Sequence, residues 1–341
     1  MMHHLFLIFQ FQLVASLVMH VRAYADADPV STSSFIHLKS TVETSRNKNY
    51  LYAIKKKESR NFDLNPQSNP VIFQDIEYFG GTVMTDTVRL YNIYYGDFNT
   101  TNGNDTMHLL DYFASNIGNT AWYKILSSYF QLESNGDKTL ASHSANLKKS
   151  FLVNPSQKST EITESDIQEL LVELITSEDL PRDTNGVYNL IFDGKFQTPG
   201  WLTTTCSYHS AFYFPGSDDI IKYMVLNDPS TPSNQKGVIC QAINPKDNLH
   251  NIPTANNNIG ADSMASLFAH ELAEVITNSV GSWHFAPDEN GQVNEISDAC
   301  AWSFGTYLKS SNIPNANIMV GDKPFLIQQL WQPGVGCTMG M

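Results

Sequence analysis

Apolar positions along the chain fall into two rhythms, one near two residues and one near 3.6, and the switches between them mark the elements. Val83–Tyr95 (VMTDTVRLYNIYY) follows Gly80-Gly81, is rich in β-branched and aromatic residues, and predicts a core strand. Helical spacing follows over Thr106–Asn116 and Ala121–Phe130. Glu161–Ser177 puts Ile167, Leu170, Leu171 and Leu174 on one stripe, with Thr163 or Ser165 available as the N-cap. Val187–Phe192, Ala211–Phe214 and Tyr223–Leu226 predict short strands, and Asp262–Thr277 predicts a second strong helix. No repeat is apparent. A strand, helices, more strands and a late helix make one α/β or α+β domain the expectation for residues 70–341.

Composition then removes several classes of function. The 341 residues carry 21 Lys+Arg against 34 Asp+Glu, a net charge of −13, so a general nucleic-acid binder with a basic face is excluded. An apolar content of 42% is enough for a sizeable core. No internal apolar run is long enough for a membrane span. Residues 1–23 (MMHHLFLIFQFQLVASLVMHVRA) read as a secretory signal peptide, although they lack a Lys or Arg before the apolar stretch. Residues 24–69 are expected to be a flexible leader or propeptide. Their basic run, Arg46, Lys48, Lys55, Lys56, Lys57 and Arg60 against Glu58, suits a solvated segment or a wall-binding arm. Two sequons, at Asn99 and Asn104, fit a glycosylated surface loop. Cys206, Cys240, Cys300 and Cys337 contain no CxxC, so a cysteine zinc ribbon is excluded and two disulfides are expected. Three pairings are open; the nearest-neighbour one joins Cys206 to Cys240 and Cys300 to Cys337.

The chemistry concentrates in Ser266–Phe304. His270 and Glu274 lie four apart, so on a helix they share one face. Glu271 is rotated by about 100° and could lean over a metal-bound water as general base. Asn294-Glu295-Ile296-Ser297-Asp298 offers two more carboxylates, expected on a second helical turn. This arrangement resembles thermolysin-type zinc metallopeptidases, in which HExxH is completed by glutamate from a following NExxSD. Here Glu274 replaces the second histidine, and Asp298 stands three residues after Glu295 rather than four. The resemblance implies a zincin-like domain with a central mixed β-sheet flanked by helices. It further implies a metal, zinc or another divalent cation, held by His270, Glu274 and Glu295, with Asp298 orienting His270. Two carboxylates neutralise the cation and activate its water less, and oxygen-rich ligation loosens the preference for zinc. His209 or His284 could supply a further nitrogen or stabilise an oxyanion. The competing reading is an ordinary amphipathic helix with its charges in solvent.

A broader resemblance covers residues 70–337. Gly80-Gly81-Thr82-Val83-Met84-Thr85 and Leu90-Tyr91-Asn92-Ile93-Tyr94-Tyr95-Gly96-Asp97-Phe98 are similar to the opening of the phosphate-induced protein 1, or EXORDIUM-like, family. Cys206-Ser207-Tyr208-His209, Ser297-Asp298-Ala299-Cys300 and Leu330-Trp331…Cys337 resemble its later landmarks. That resemblance implies a secreted protein associated with the apoplast or cell wall and linked to growth signalling. Two functions are therefore expected to compete. One is a secreted metal-dependent hydrolase, most plausibly a peptidase with Glu271 as base. The other is a non-catalytic extracellular protein that binds a protein, a peptide or a wall component.

Overall fold

Strands that are apolar on both faces must be covered twice, and that requirement sets the architecture here. The computed structural model describes residues 50–55, 75–155, 159–201, 205–230, 240–242, 254–287, 293–308 and 315–340. The expected signal peptide lies outside these residues. Six strands make one mixed sheet: β1 (Tyr50–Lys55), β2 (Val88–Tyr95), β3 (Ala145–Val153), β4 (Gly186–Phe192), β5 (Thr205–Tyr213) and β6 (Ile220–Asn227). Their order is β1-β5-β6-β4-β2-β3. β3, β2, β4 and β6 pair in parallel, whereas β5 runs antiparallel to both β6 and β1. Part of the stretch expected as a flexible leader is thus the strand β1, beside β5.

The alternation of side chains divides the core in two. Leu90 and Tyr94 of β2, Val187 and Ile191 of β4, and Met224 and Leu226 of β6 face the helices α1 (Thr101–Asn116) and α3 (Ile259–Asn278). Tyr91, Ile93 and Tyr95, with Tyr188, Leu190, Tyr223 and Val225, face α2 (Glu164–Thr176). The result is a three-layer mixed α/β fold with helices on both faces, as the alternation of elements predicts.

Helix boundaries follow their caps. Thr163, not Ser165, caps α2, accepting from Asp166 N while Asp166 answers the Thr163 backbone in a capping box. Asn258 caps α3 by accepting from Ala261 N at 3.0 Å. The Ala121–Phe130 stretch is one helical turn, Ala121–Lys124, then a 3₁₀ segment Ile125–Ser128, and Phe130 opens a hairpin. The strand expected at Val83 begins at Val88, and β5 extends the short Ala211–Phe214 expectation back to Thr205. Asn99 and Asn104 are exposed as expected, although Asn104 sits in the first turn of α1 rather than in a loop.

Both disulfides follow the nearest-neighbour pairing, Cys206–Cys240 and Cys300–Cys337. The first is anchored at the start of β5. The second ties the 3₁₀ turn Asp298–Cys300 to the hairpin Leu330–Gln332/Gly336–Thr338. Among the described residues no helix is long and apolar enough to cross a membrane.

Candidate metal centre

The helix α3 carries the first half of the site, and it is not amphipathic in the expected sense. Every residue from Gly260 to Asn278 is buried, including His270, Glu271 and Glu274. The reading in which those charges are solvated is therefore corrected: the sheet lies on one side of the helix, and other elements close the rest. With a spacing of four, His270 Nε2 comes 3.1 Å from Glu274 Oε1. Glu271, one residue along, turns toward β5, where its Oε2 is 3.0 Å from His209 Nδ1. His209 reaches it through strand alternation, which sends Tyr208 and Phe212 toward α2 and His209 toward α3.

The chain then returns to supply two more carboxylates. Glu295 Oε1 lies 3.7 Å from His209 Nε2, and Asp298 Oδ1 lies 3.6 Å from His270 Nε2. Glu295 is not on a helical turn as expected; among the described residues the regular structure beside it is the 3₁₀ turn from Asp298 to Cys300. The reason is a tertiary contact. The backbone N–H groups of Ser297 and Asp298 donate to Glu274 Oε1 at 3.2 and 3.1 Å, so α3 holds this segment through its own carboxylate. Ser297 Oγ adds a bond to the His270 carbonyl at 3.1 Å, and Ile296 is buried beneath.

Two positioning residues are not among the expected site residues. Gln328 Oε1 accepts from Trp302 N at 3.0 Å and lies 3.2 Å from His270 Nδ1. An oxygen that already accepts can only receive a proton from the imidazole, so Nδ1 is the protonated nitrogen. Nε2 of a neutral His270 then turns a lone pair on two carboxylate oxygens, those of Glu274 and Asp298. A proton or a cation has to sit between them. Asn278 donates to Glu295 Oε1 at 2.6 Å. Its position could have been found, because Asn278 is four residues beyond Glu274 and shares its face. Gln328 comes from a distant strand connection and could not.

His284 occupies a different setting. It lies on the two-residue strand Trp283–His284 paired with Glu77–Tyr78, its ring stacked on Phe79 at 3.9 Å and its Nδ1 2.8 Å from Phe285 O. Among the described residues the ligand-capable groups are His209/Glu271/Glu274 and His270/Glu274/Asp298; they include neither His284 nor the expected ligand Glu295.

Electrostatics sharpen the picture. Among the described residues no lysine or arginine pairs with Glu271, Glu274, Glu295 or Asp298; their partners in ion-pair range are histidines. Burial raises the Glu271 carboxyl well above its usual range, with His270 opposing and Glu274 reinforcing. Burial, partly offset by His270, lifts Glu274 to about 7. Burial and then Glu274 and Asp298 lift Glu295 well above the usual range. Burial and the His270 charge press His209 down to about 3. Burial also opposes charging His270, but Glu274 and Asp298 outweigh it and hold its pKa well above that of a free imidazole. Without a cation, burial favours the protonated forms of Glu271, Glu274 and Glu295, so the donor set suits a divalent ion that would replace those protons.

This site lies inside a long stretch, residues 76–336, that matches the phosphate-induced protein 1 conserved region. The chain belongs to that family. It is similar to Protein EXORDIUM-like 3 of Arabidopsis thaliana, with 23% identity over 290 residues, covering 77% of this chain and 82% of that protein. It is also similar to Protein EXORDIUM-like 5 of the same plant, with 24% identity over 298 residues, covering 78% and 77% of the two chains. No solved structure matches this chain. The expected EXORDIUM-like membership is thus established, and neither relative's name speaks of peptidase activity or zinc.

Proposed function

We propose that this protein is a secreted, non-catalytic binding protein of the EXORDIUM-like group, whose core is braced by divalent metal at the His/carboxylate cluster. The observation that carries the reading is burial. His209, His270 and Glu271 are 0% exposed, Glu274 1% and Glu295 3%, so the group that would activate water is sealed from any polymeric substrate. A metal there ties α3, β5 and the Glu295–Asp298 segment together, and its binding energy adds to folding. The names of the relatives favour this reading over a peptidase. Two disulfides suit an oxidising compartment, which supports secretion. The partner would be an extracellular protein, peptide or wall component.

The zincin-like hydrolase remains a second reading, on one specific observation: Glu271 is aimed into a cluster that also holds His270 and Glu295, as in the metallopeptidase resemblance. One set of measurements separates the two. Full-length protein secreted from a eukaryotic host is assayed for metal content, for melting before and after stripping with a chelator, and for cleavage of denatured protein and peptide pools. The brace requires bound metal, a melting point about 4 °C or more lower after stripping and its recovery on metal return, with no turnover; one site filled at a hundredfold over its Kd is worth about 2.7 kcal/mol. Cleavage that disappears in Glu271→Gln while the fold survives would establish the hydrolase. Protein that carries no metal and melts unchanged after stripping would remove the brace.

A further inference from the structure

The four carboxylates at the cluster are too many for one ion. Glu271, Glu274, Glu295 and Asp298 converge on two imidazoles, and none of the four has a lysine or arginine partner among the described residues. A single dication offsets two of the four negative charges and leaves two in the core. A net charge in such a place is among the most expensive things a fold can hold. Two dications offset all four.

The geometry divides three of the four carboxylates between two groups and leaves Glu295, which accepts from Asn278, outside both. His209, Glu271 and Glu274 present donor atoms within 4.8 Å of one another, and so do His270, Glu274 and Asp298. Glu274 belongs to both groups, and its two oxygens divide between them: Oε1 faces His270 Nε2 at 3.1 Å, while Oε2 faces His209 Nδ1 at 3.7 Å. Each group thus has one imidazole, one private carboxylate and one half of a shared carboxylate. A further observation points to a ligand. Glu271 Oε1 is fully buried and makes no hydrogen bond of normal length among the described residues; the Ser207 hydroxyl is a donor close by, and the other Glu271 oxygen contacts His209. A buried carboxylate oxygen so weakly served is costly unless a cation sits beside it.

We propose that the cluster is a two-ion site, with Glu274 as the carboxylate shared between a cation on the His209 side and a cation on the His270 side. This rests on the metal-braced reading and deepens it. Mixed imidazole and carboxylate ligation suits zinc, manganese or iron in the divalent state better than calcium or magnesium, because each position includes nitrogen. Sharing one carboxylate also explains why Glu274 rather than a second histidine stands four residues after His270: a neutral imidazole has one lone pair and cannot serve two ions.

The test is stoichiometry with the full-length chain. Protein stripped with a chelator is titrated with Zn2+ by calorimetry, and bound metal is counted by mass spectrometry after gel filtration. Two ions per chain are expected. Mn2+-loaded protein should give the many-line paramagnetic resonance spectrum of an exchange-coupled pair rather than the six lines of isolated Mn2+. Glu274→Gln keeps an oxygen for the Ser297 and Asp298 N–H groups and should retain the parent's circular dichroism, yet bind at least a hundredfold more weakly at both positions. Asp298→Asn should weaken one ion only. Two ions per chain, a coupled spectrum and loss of both in Glu274→Gln support the proposal. One ion per chain, or two ions with uncoupled spectra and no dependence on Glu274, overturns it and leaves the metal brace standing. No metal at all overturns the brace as well, with protons shared among the carboxylates in its place.

Discussion

Removing the Cys300–Cys337 bridge tests how the returning carboxylates are held. Cys300 closes the 3₁₀ turn that begins at Asp298, and Cys337 lies on the second strand of the C-terminal hairpin. The sequence separation is 37 residues, for which the chain-entropy relation gives about 4 kcal/mol at 25 °C. Noncovalent contacts beside it are few: Trp331 N donates to Ile296 O at 3.0 Å, Gln329 N to Ser303 O at 2.8 Å, and the Ser303 hydroxyl to Gln329 Oε1 at 2.7 Å. The double variant Cys300→Ser/Cys337→Ser leaves Cys206–Cys240 intact. In urea unfolding without reductant it should lose about 3–5 kcal/mol, a fall of about 4–7 °C in melting temperature for a chain of this size. Hydrogen exchange should locate the effect. The Ser297 and Asp298 amides, which donate to Glu274, should lose protection before the central strand β4 does. A loss below about 1 kcal/mol, or equal protection at those amides, would show that packing alone holds the segment and would refute the reasoning.

Other expectations concern the scaffold. Asp183 accepts from Arg89 and from Tyr91 Oη at 2.7 Å. Burial would raise its pKa, but the Arg89 and Tyr91 hydrogen bonds outweigh burial and hold it below the usual value. Its stabilisation is therefore complete above the unfolded pKa near 4 and is lost as pH falls through the lower folded one. Asp183→Asn should cost about 2 kcal/mol at pH 7 by urea melts, and the gap from the parent should close only below about pH 4; a gap unchanged at pH 2.5 would contradict this. Leu171→Ala, at a wholly buried position beneath the sheet, should cost about 2–5 kcal/mol in the same assay, and a cost under 1 kcal/mol would mean that α2 packs loosely. Thr163→Ala removes one half of the α2 capping box and should cost about 1 kcal/mol, with early fraying visible by hydrogen exchange in the first turn.

Local rules settled much of this protein without tertiary information. Period-3.6 spacing placed α2 and α3 to within a few residues of their ends, because helix geometry and caps are decided by neighbours three and four positions away. The same rule put His270 and Glu274 on one face, and family landmarks in order located the domain. The long strand β3 escaped notice because Ala145–Val153 (ANLKKSFLV) contains two adjacent lysines and lacks strict alternation; as an edge strand of the sheet it can leave them in solvent.

What the sequence by itself determined, then, was the pieces: the helices, most of the strands of the central sheet, and the ligand-bearing face of α3; which of the three cysteine pairings forms was settled by the fold. Only the tertiary structure decided that this face is interior. Strand order brings β5 beside β6 and under α3, so His209, 62 residues from Glu271 in the chain, becomes its partner. The turn after Glu295 forms against Glu274 rather than as a helix, and Gln328 arrives from 58 residues away to fix the His270 tautomer. These contacts depend on which surfaces are left to bury once the sheet is assembled, and no local spacing records that. The same burial that turned a seemingly solvated HExxE stripe into a closed charge cluster is what requires compensation by protons or metal.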